Sequence, residues 1–250
     1  FTTIDNLNLE IINLLAFSIK LLNCFGFTDI EADLSTRPKD SIGLDKDWEN
    51  ATNSLEDALI QQNLSYKIAQ GEGAFYGPKI DLHIKDAIGR RWQLTTIQID
   101  FAQPNNFSLE YVNSENKKVR PVMIHRALLG SIERFTGILI EHYAGEFPGW
   151  LAPNQINILT IGNVDEYLDL IVSKLSKYRL NIDDRNIRLG EKIHESRKNK
   201  VPVTLIIGEK DAKNKTVAIN YLDGSEEQDI VLSEGIKSIN KKLKKPVFKI

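Results

Sequence analysis

Two glycines and an arginine share one face of an amphipathic stretch between Ala127 and Tyr143. Gly130, Arg134, Gly137 and Glu141 recur at steps of four, three and four. A glycine inside a helix costs about 1 kcal/mol against alanine, and a helix accepts that where something must approach closely. An arginine between small residues, on a helix lying against a sheet, can lay its guanidinium over a planar or phosphate group. The same stripe also serves tight helix–sheet packing with Arg134 in an ion pair, and spacing does not choose between the two. His125 and Arg126 stand where the preceding strand gives way to that helix. A lone histidine at such a place is more often structural than catalytic. The turn from Gly71 to Lys79 throws Tyr76 and Lys79 toward the same sheet. Gln93, Thr96, Gln98 and Asp100 put polar side chains into a strand otherwise rich in Trp92, Leu94, Ile97 and Ile99, and Thr96, Gln98 and Asp100 share one face. Buried polar strand residues are costly unless paired, so that face is either solvated or lines a polar ligand pocket.

Other motifs fail on their context. Gly71 to Gly77 looks like a dinucleotide-binding turn, but its spacing is one residue too long and a strand follows, so no helix N-terminus would meet a pyrophosphate. His194-Glu195 opens a zinc-protease pattern that Lys198 breaks. Ser131 follows Gly130 without completing a nucleophile elbow. His83 falls on the polar face of its strand, which predicts a solvated side chain. Four histidines and one cysteine form no complete metal site by spacing alone.

These residues need a scaffold, and 250 residues with 42% hydrophobic and 26% charged side chains can supply one. That length is comfortable for two domains, and the composition excludes a disordered tail, a collagen-like fibre and a coiled coil. A single cysteine, Cys24, excludes an internal disulfide or a multi-cysteine zinc site within this chain and fits a reducing, cytoplasmic location. The longest apolar run, Leu9 to Phe25, carries Glu10, Asn13, Lys20 and Asn23, so it reads as a buried helix of a soluble protein and no membrane contact is expected. No basic-then-apolar leader opens the chain. A start at Phe1 rather than Met points to a piece of something longer. Residues 151–250 hold 18 Lys and Arg against 14 Asp and Glu, whereas residues 1–150 hold 14 against 20. This asymmetry hints at a polyanionic partner for the second part, although a solvated tail from Lys237 to Lys249 explains it as simply.

Periodicity predicts helices over 5–23, 48–62 and 127–143, with strands over 27–34, 79–86, 91–101 and 119–124. The run Lys79 to Asp86 alternates strictly, and no long helix separates the middle strands, so they should pair antiparallel. Beyond residue 150 the rhythm becomes βαβ: strands at 155–161, 180–183, 203–207 and 216–221, and helices at 165–178, 189–199 and 233–243, the last capped by Ser233. The punctuation from Phe147 to Pro153 marks the boundary between domains at 1–148 and 149–250. The expected fold is an antiparallel α+β domain followed by an α/β domain with a mixed sheet.

Read together, Gly71 to Lys79, Trp92-Gln93-Leu94, Thr96 to Phe101, Pro121 to Ala127, Gly130 to Phe135, Phe147 to Pro153 and Leu34 to Pro38 closely resemble the threonyl-tRNA synthetase family, over essentially the whole chain. The resemblance implies an incomplete class II catalytic domain followed by an anticodon-binding domain. It implies a threonine–tRNA ligase using ATP, Mg²⁺ and Zn²⁺, with threonine and tRNA-Thr as partners and a homodimer at full length. Arg134 would contact the ATP γ-phosphate, and Lys79 and Tyr76 would face the reacting carboxylate and threonine. Gln93, Thr96 and Gln98 would line the nucleotide and adenylate pocket, and His125 would be one of three zinc ligands. The family's motifs 1 and 2, its other zinc ligands and its editing domain have no counterpart here. The family often places arginines after the strand matching Val217-Ala218-Ile219, where this chain has Asn220 to Asp223. That leaves Arg185, Asn186 and Glu209, at expected strand ends, as the better candidates for anticodon contact, although residues at such places also serve simply to cap loops. A non-catalytic tRNA-binding or regulatory module descended from such an enzyme is the alternative.

Overall fold

The computed structural model describes residues 1–247, so Lys249 and the end of the expected second domain lie outside them. The described chain divides into two units, residues 1–141 and His142–Val247.

The first unit runs α1 (Leu7–Cys24), β1 (Ile30–Ser35), α2 (Asp45–Gln61), β2 (Tyr66–Ala69), β3 (Lys79–Lys85), β4 (Arg91–Asp100), α3 (Ala102–Asn106), β5 (Tyr111–Val112), β6 (Lys118–Val119), β7 (Met123–Ala127) and α4 (Ile132–His142). Its main sheet has the order β2-β1-β3-β4-β7. The expected antiparallel pairing holds from β1 through β7, while β2, unread in the sequence, joins β1 in parallel. Alternation gives this sheet two unlike faces. Ala32, Leu34, Ile80, Leu82, Ile84, Ile97 and Ile99 are buried on one of them. The helices bring Leu7, Ile11, Leu15 and Leu22 of α1 and Trp48, Ala51, Leu55 and Leu59 of α2 to the core, where each fully buried large side chain contributes about 1.5–3 kcal/mol. Phe135 of α4 closes this core edge-on to Phe25 and Phe27, at 5.0 and 6.0 Å between ring centres. By length and composition α1 could cross a membrane, but its buried stripe is the pattern of a core helix.

The structure moves the boundary between the last strand and the last helix of this unit. The strand expected over 119–124 pairs over Met123–Ala127, and the helix expected from Ala127 begins at Ile132. The ten-residue β4 offers ladder partners as far as Thr96, and pairing with Ala127 overrides the local helical pattern. The Ser131 hydroxyl then accepts from the Arg134 backbone N–H at 3.1 Å, which starts the helix. Gly130 therefore lies outside it, at φ +62°.

The second unit runs β8 (Ile156–Ile161), α5 (Asp165–Leu175), β9 (Leu180–Asp183), α6 (Leu189–Lys198), β10 (Val203–Gly208), α7 (Glu209–Asn214), β11 (Thr216–Tyr221), β12 (Glu226–Val231) and α8 (Leu232–Lys242). The order β12-β11-β10-β8-β9 combines parallel β10, β8 and β9 with antiparallel β11 and β12, the mixed sheet expected. Ile156, Ile158, Leu205, Ile207 and Ile219 meet Ile171 and Leu175 of α5 and Ile239 of α8 in one core. The helix α8 follows β12 without a break, so Val231 holds the cap position and Ser233 lies inside the first turn, not at the cap.

Candidate functional site

The other face of the first sheet is polar, and strand register decides which groups meet there. Lys79, Gln98 and His125 lie opposite one another across β3, β4 and β7, and Asp81 lies opposite Thr96 in the next row. Simple alternation would send Gln93 and Thr96 to opposite faces. A bulge intervenes: Leu82 faces Thr95 and His83 faces Gln93, which leaves Leu94 as the extra residue and turns Gln93 onto the polar face. There the Gln93 amide donates to Asp81 Oδ1 at 2.6 Å and to Thr96 Oγ1 at 3.0 Å. The Thr96 hydroxyl donates to the same Asp81 oxygen at 2.6 Å, and Lys79 Nζ donates to Asp81 Oδ2 at 2.6 Å. Asp81 is thus the buried hub of three of the sequence-selected residues. Sequence reading missed it, although its place between Lys79 and His83 in the alternating run was the available signal.

A second hub is Asp100, buried at the end of β4. Its Oδ1 accepts the backbone N–H groups of Ala102 and Gln103 at 2.8 and 2.9 Å, and its Oδ2 lies 2.8 Å from His125 Nε2. The Tyr76 hydroxyl donates to Gln98 Oε1 at 3.0 Å, and its ring lies edge-on to His125 at 6.0 Å. Burial, with Asp100 nearby, pushes the Tyr76 phenol up, so it stays protonated. The turn carrying Tyr76 lies directly on the chain beneath it. A Cβ on Gly77 would fall 1.8 Å from the Ile99 carbonyl oxygen, and one on Gly73 would fall 2.5 Å from that of Thr36.

The stripe on α4 comes apart in three dimensions. Gly130 is required by its positive φ, Gly137 faces nothing within 4 Å, and Glu141 approaches Arg90 at 3.4 Å. The close approach expected at the glycines does not occur at Gly137. Arg134 is the member that reaches the site. Its Nη2 donates to the Gln93 carbonyl at 2.8 Å, and its guanidinium lies 5.7 Å from the Trp92 ring centre. Among the described residues no carboxylate pairs with it. His83 is not solvated as expected, since its side chain is 11% exposed, with Nδ1 3.7 Å from Asp33 Oδ2. Burial and the neighbouring Arg91 push its pKa down, so it is neutral at pH 7.

Among the described residues no group of three His, Cys, Asp or Glu side chains could hold a metal. His125 and Asp100 alone do not complete a zinc centre that needs three protein ligands.

In the second unit the strand order reverses at β8: the chain passes to β9 on one side and then to β10 on the other. Such a switch opens a crevice beyond the carboxyl ends of the parallel strands. A cleft of about 380 Å³ lies there, lined by Gly162, Asn163, Arg185 and Asn186 among others. A wider one of about 590 Å³ adjoins Asn163, Glu209, Lys213 and Lys215. All three sequence-selected residues thus border this end of the sheet. Glu209 packs against Gly162, where a Cβ would fall 2.8 Å from its Oε1. Arg185 is already engaged: it grips Asp183 at 2.9 and 2.7 Å and Glu195 at 2.5 Å. Asn220 is buried in β11 and does not face this crevice's rim.

A largely antiparallel sheet with one apolar and one polar face, followed by a separate mixed-sheet unit, is the frame of a recognisable class. Residues 18–143, about half of the chain, match the tRNA synthetase class II core domain (G, H, P, S and T), and the chain belongs to that family. Residues 155–242 match the anticodon binding domain. Among curated proteins, the chain is 46% identical over 243 residues to the threonine–tRNA ligase of Clostridium tetani, covering 96% of this chain and 38% of that protein. It is 44% identical to that of Clostridium acetobutylicum, covering 100% of this chain and 40% of that protein. The chain therefore spans about two-fifths of the length of these curated relatives. Among solved structures, the RNA binding domain of threonyl-tRNA synthetase from Cryptosporidium parvum Iowa II superposes with a TM-score of 0.87 at 34% identity, covering 96% of this chain and 61% of that one. A putative threonyl-tRNA synthetase from Aeropyrum pernix gives 0.72 at 25% identity, over 98% and 63%.

Proposed function

We propose that this chain supplies part of the catalytic domain, together with the anticodon-binding domain, of a cytoplasmic, homodimeric threonine–tRNA ligase. The observation that carries this reading is the polar sheet face, where Asp81 holds Lys79, Gln93 and Thr96, Asp100 holds His125, and Arg134 bonds the Gln93 carbonyl. Activation of an amino acid is an in-line attack of its carboxylate on the ATP α-phosphate, and the protein's part is to position two anions and offset their charge. Arg134, with its planar fork over Trp92, offers its free charge to the nucleotide's phosphates. Lys79, steered by Asp81, directs a positive charge at the reacting carboxylate. Gln98, oriented by the Tyr76 hydroxyl, and the Gln93–Thr96 pair offer amide and hydroxyl groups to the nucleotide and the adenylate. Bound Mg²⁺ would share the phosphate charge.

We assign His125 as one zinc ligand, oriented by Asp100, with the remaining ligands outside these 250 residues. Accordingly the purified 250-residue chain should show no threonine-dependent pyrophosphate exchange, whereas the full-length protein should show exchange with threonine and far less with valine, which lacks the hydroxyl. Exchange by the 250-residue chain alone would overturn the zinc assignment. Exchange by the full-length protein that prefers another amino acid would overturn the substrate. Absence of exchange with retained RNA binding would favour the non-catalytic tRNA-binding module.

For the second unit we propose that the crevice at the ends of β8, β9 and β10 reads unstacked anticodon bases, with phosphate contacts giving most of the affinity. Asn186 and Glu209 can address base edges, while Arg185 is held by Asp183 and Glu195. Glu209→Ala or Asn186→Ala should lower the preference for a threonine-tRNA anticodon stem-loop over a scrambled anticodon by about tenfold, equivalent to about 1.4 kcal/mol. Arg185→Ala should lower it less. Fluorescence titration of the 250-residue chain with both RNAs checks this, and equal binding of the two by the unmutated chain would leave only a basic surface.

A further inference from the structure

Lys192 is the one buried lysine among the described residues, at 2% exposure. A buried ammonium is costly unless its donors are taken up. Lys192 Nζ donates to the Thr160 carbonyl at 2.9 Å and to the Asp183 carbonyl at 3.0 Å, and lies 3.9 Å from Asp183 Oδ1. Those carbonyls belong to neighbouring strands, β8 and β9, near the point where their ladder stops at the pair Leu159–Asp183. One amine therefore ties the two strand ends together at the last pair of their ladder. The segments leaving them carry Gly162-Asn163 and Asp184-Arg185-Asn186, which line the cleft. Asp183 passes the constraint on, since its carboxylate takes the backbone N–H of Arg185 at 3.2 Å and grips the Arg185 side chain. One turn further along α6, Ser196 lies 2.6 Å from the Thr204 hydroxyl and accepts from the Asn157 amide at 2.9 Å, which fixes the helix that delivers the amine.

We infer that Lys192 is a positioning residue for RNA selectivity: it never touches RNA but sets the spacing of the two loops that do. This inference rests on the anticodon-reading role proposed above.

The test compares the 250-residue chain with its Lys192→Met variant in two measurements. Amide hydrogen exchange is followed over residues 161–164 and 184–188, with β10 and β11 as internal references. Binding of the threonine-tRNA anticodon stem-loop and of the scrambled control is titrated at two salt concentrations. The expected result is faster exchange confined to the two loops and a cognate-to-scrambled ratio reduced by about tenfold, with scrambled binding and its salt dependence unchanged. A folded variant that keeps the ratio would overturn the inference alone. Exchange rising throughout the unit, with both RNAs weakened equally, would also overturn it, because that is the signature of a purely structural lysine. Equal binding of both RNAs by the unmutated chain would overturn the anticodon-reading role itself, and this inference with it. If Lys192→Met does not fold, Lys192→Gln, whose amide can still donate to one carbonyl, is read in the same way.

Discussion

Arg134→Ala in the full-length protein should lower threonine-dependent pyrophosphate exchange by about 100- to 1,000-fold, the range for losing one preorganised group that stabilises transition-state charge. The thermal midpoint of the 250-residue chain carrying the same change should stay close to that of the unmutated chain. The geometry supports this split between activity and stability. Arg134 gives one hydrogen bond, to the Gln93 carbonyl, lies near the Trp92 ring, and faces no carboxylate among the described residues. Little native structure depends on it, yet its charge stands beside the polar face. Arg134→Lys should recover little, because an ammonium has neither the planar fork nor the stacking surface of a guanidinium. A variant that loses thermal stability while keeping its ATP dependence would show that Arg134 is structural.

The sequence made some of this visible for definable reasons. The alternation from Lys79 to Lys85 located a strand with a working face because the period of two survives wherever one face packs on helices. It did not show that Gln93 shares that face with Thr96, because the bulge at Leu94 shifts the phase by one residue and no composition signal marks it. Strand β12 was invisible because Glu226, Glu227, Gln228 and Asp229 leave an edge strand with hardly any apolar pattern. The place of Arg185 at a strand end was legible from the βαβ rhythm. Its grip on Glu195 was not, since that partner comes from α6, ten residues away. Asp81 escaped notice because its importance lies in its partners, and three side chains converging on one carboxylate are a property of register.

That convergence makes Asp81 costly to truncate. Asp81→Ala should destabilise the 250-residue chain by about 3–5 kcal/mol, the range for removing one partner of a buried ion pair. Its side chain is 6% exposed and that of Lys79 is 20% exposed, so the ammonium left behind has limited access to water. Gln93 and Thr96 lose their acceptor in the same step. Asp81→Asn should cost less, since the amide oxygen can still accept from Gln93 and Thr96 while the charge opposite Lys79 is gone. Adding Lys79→Met to Asp81→Ala should recover about 1–3 kcal/mol, because contacting residues couple on that scale and the double change removes the unpaired ammonium. Urea unfolding of the four proteins measures all three differences. If Asp81→Ala unfolds at the unmutated midpoint, the carboxylate is not the hub of this face. If the double variant is no more stable than the single one, Lys79 reaches solvent freely, and the charge it would present to a bound carboxylate is not steered by Asp81.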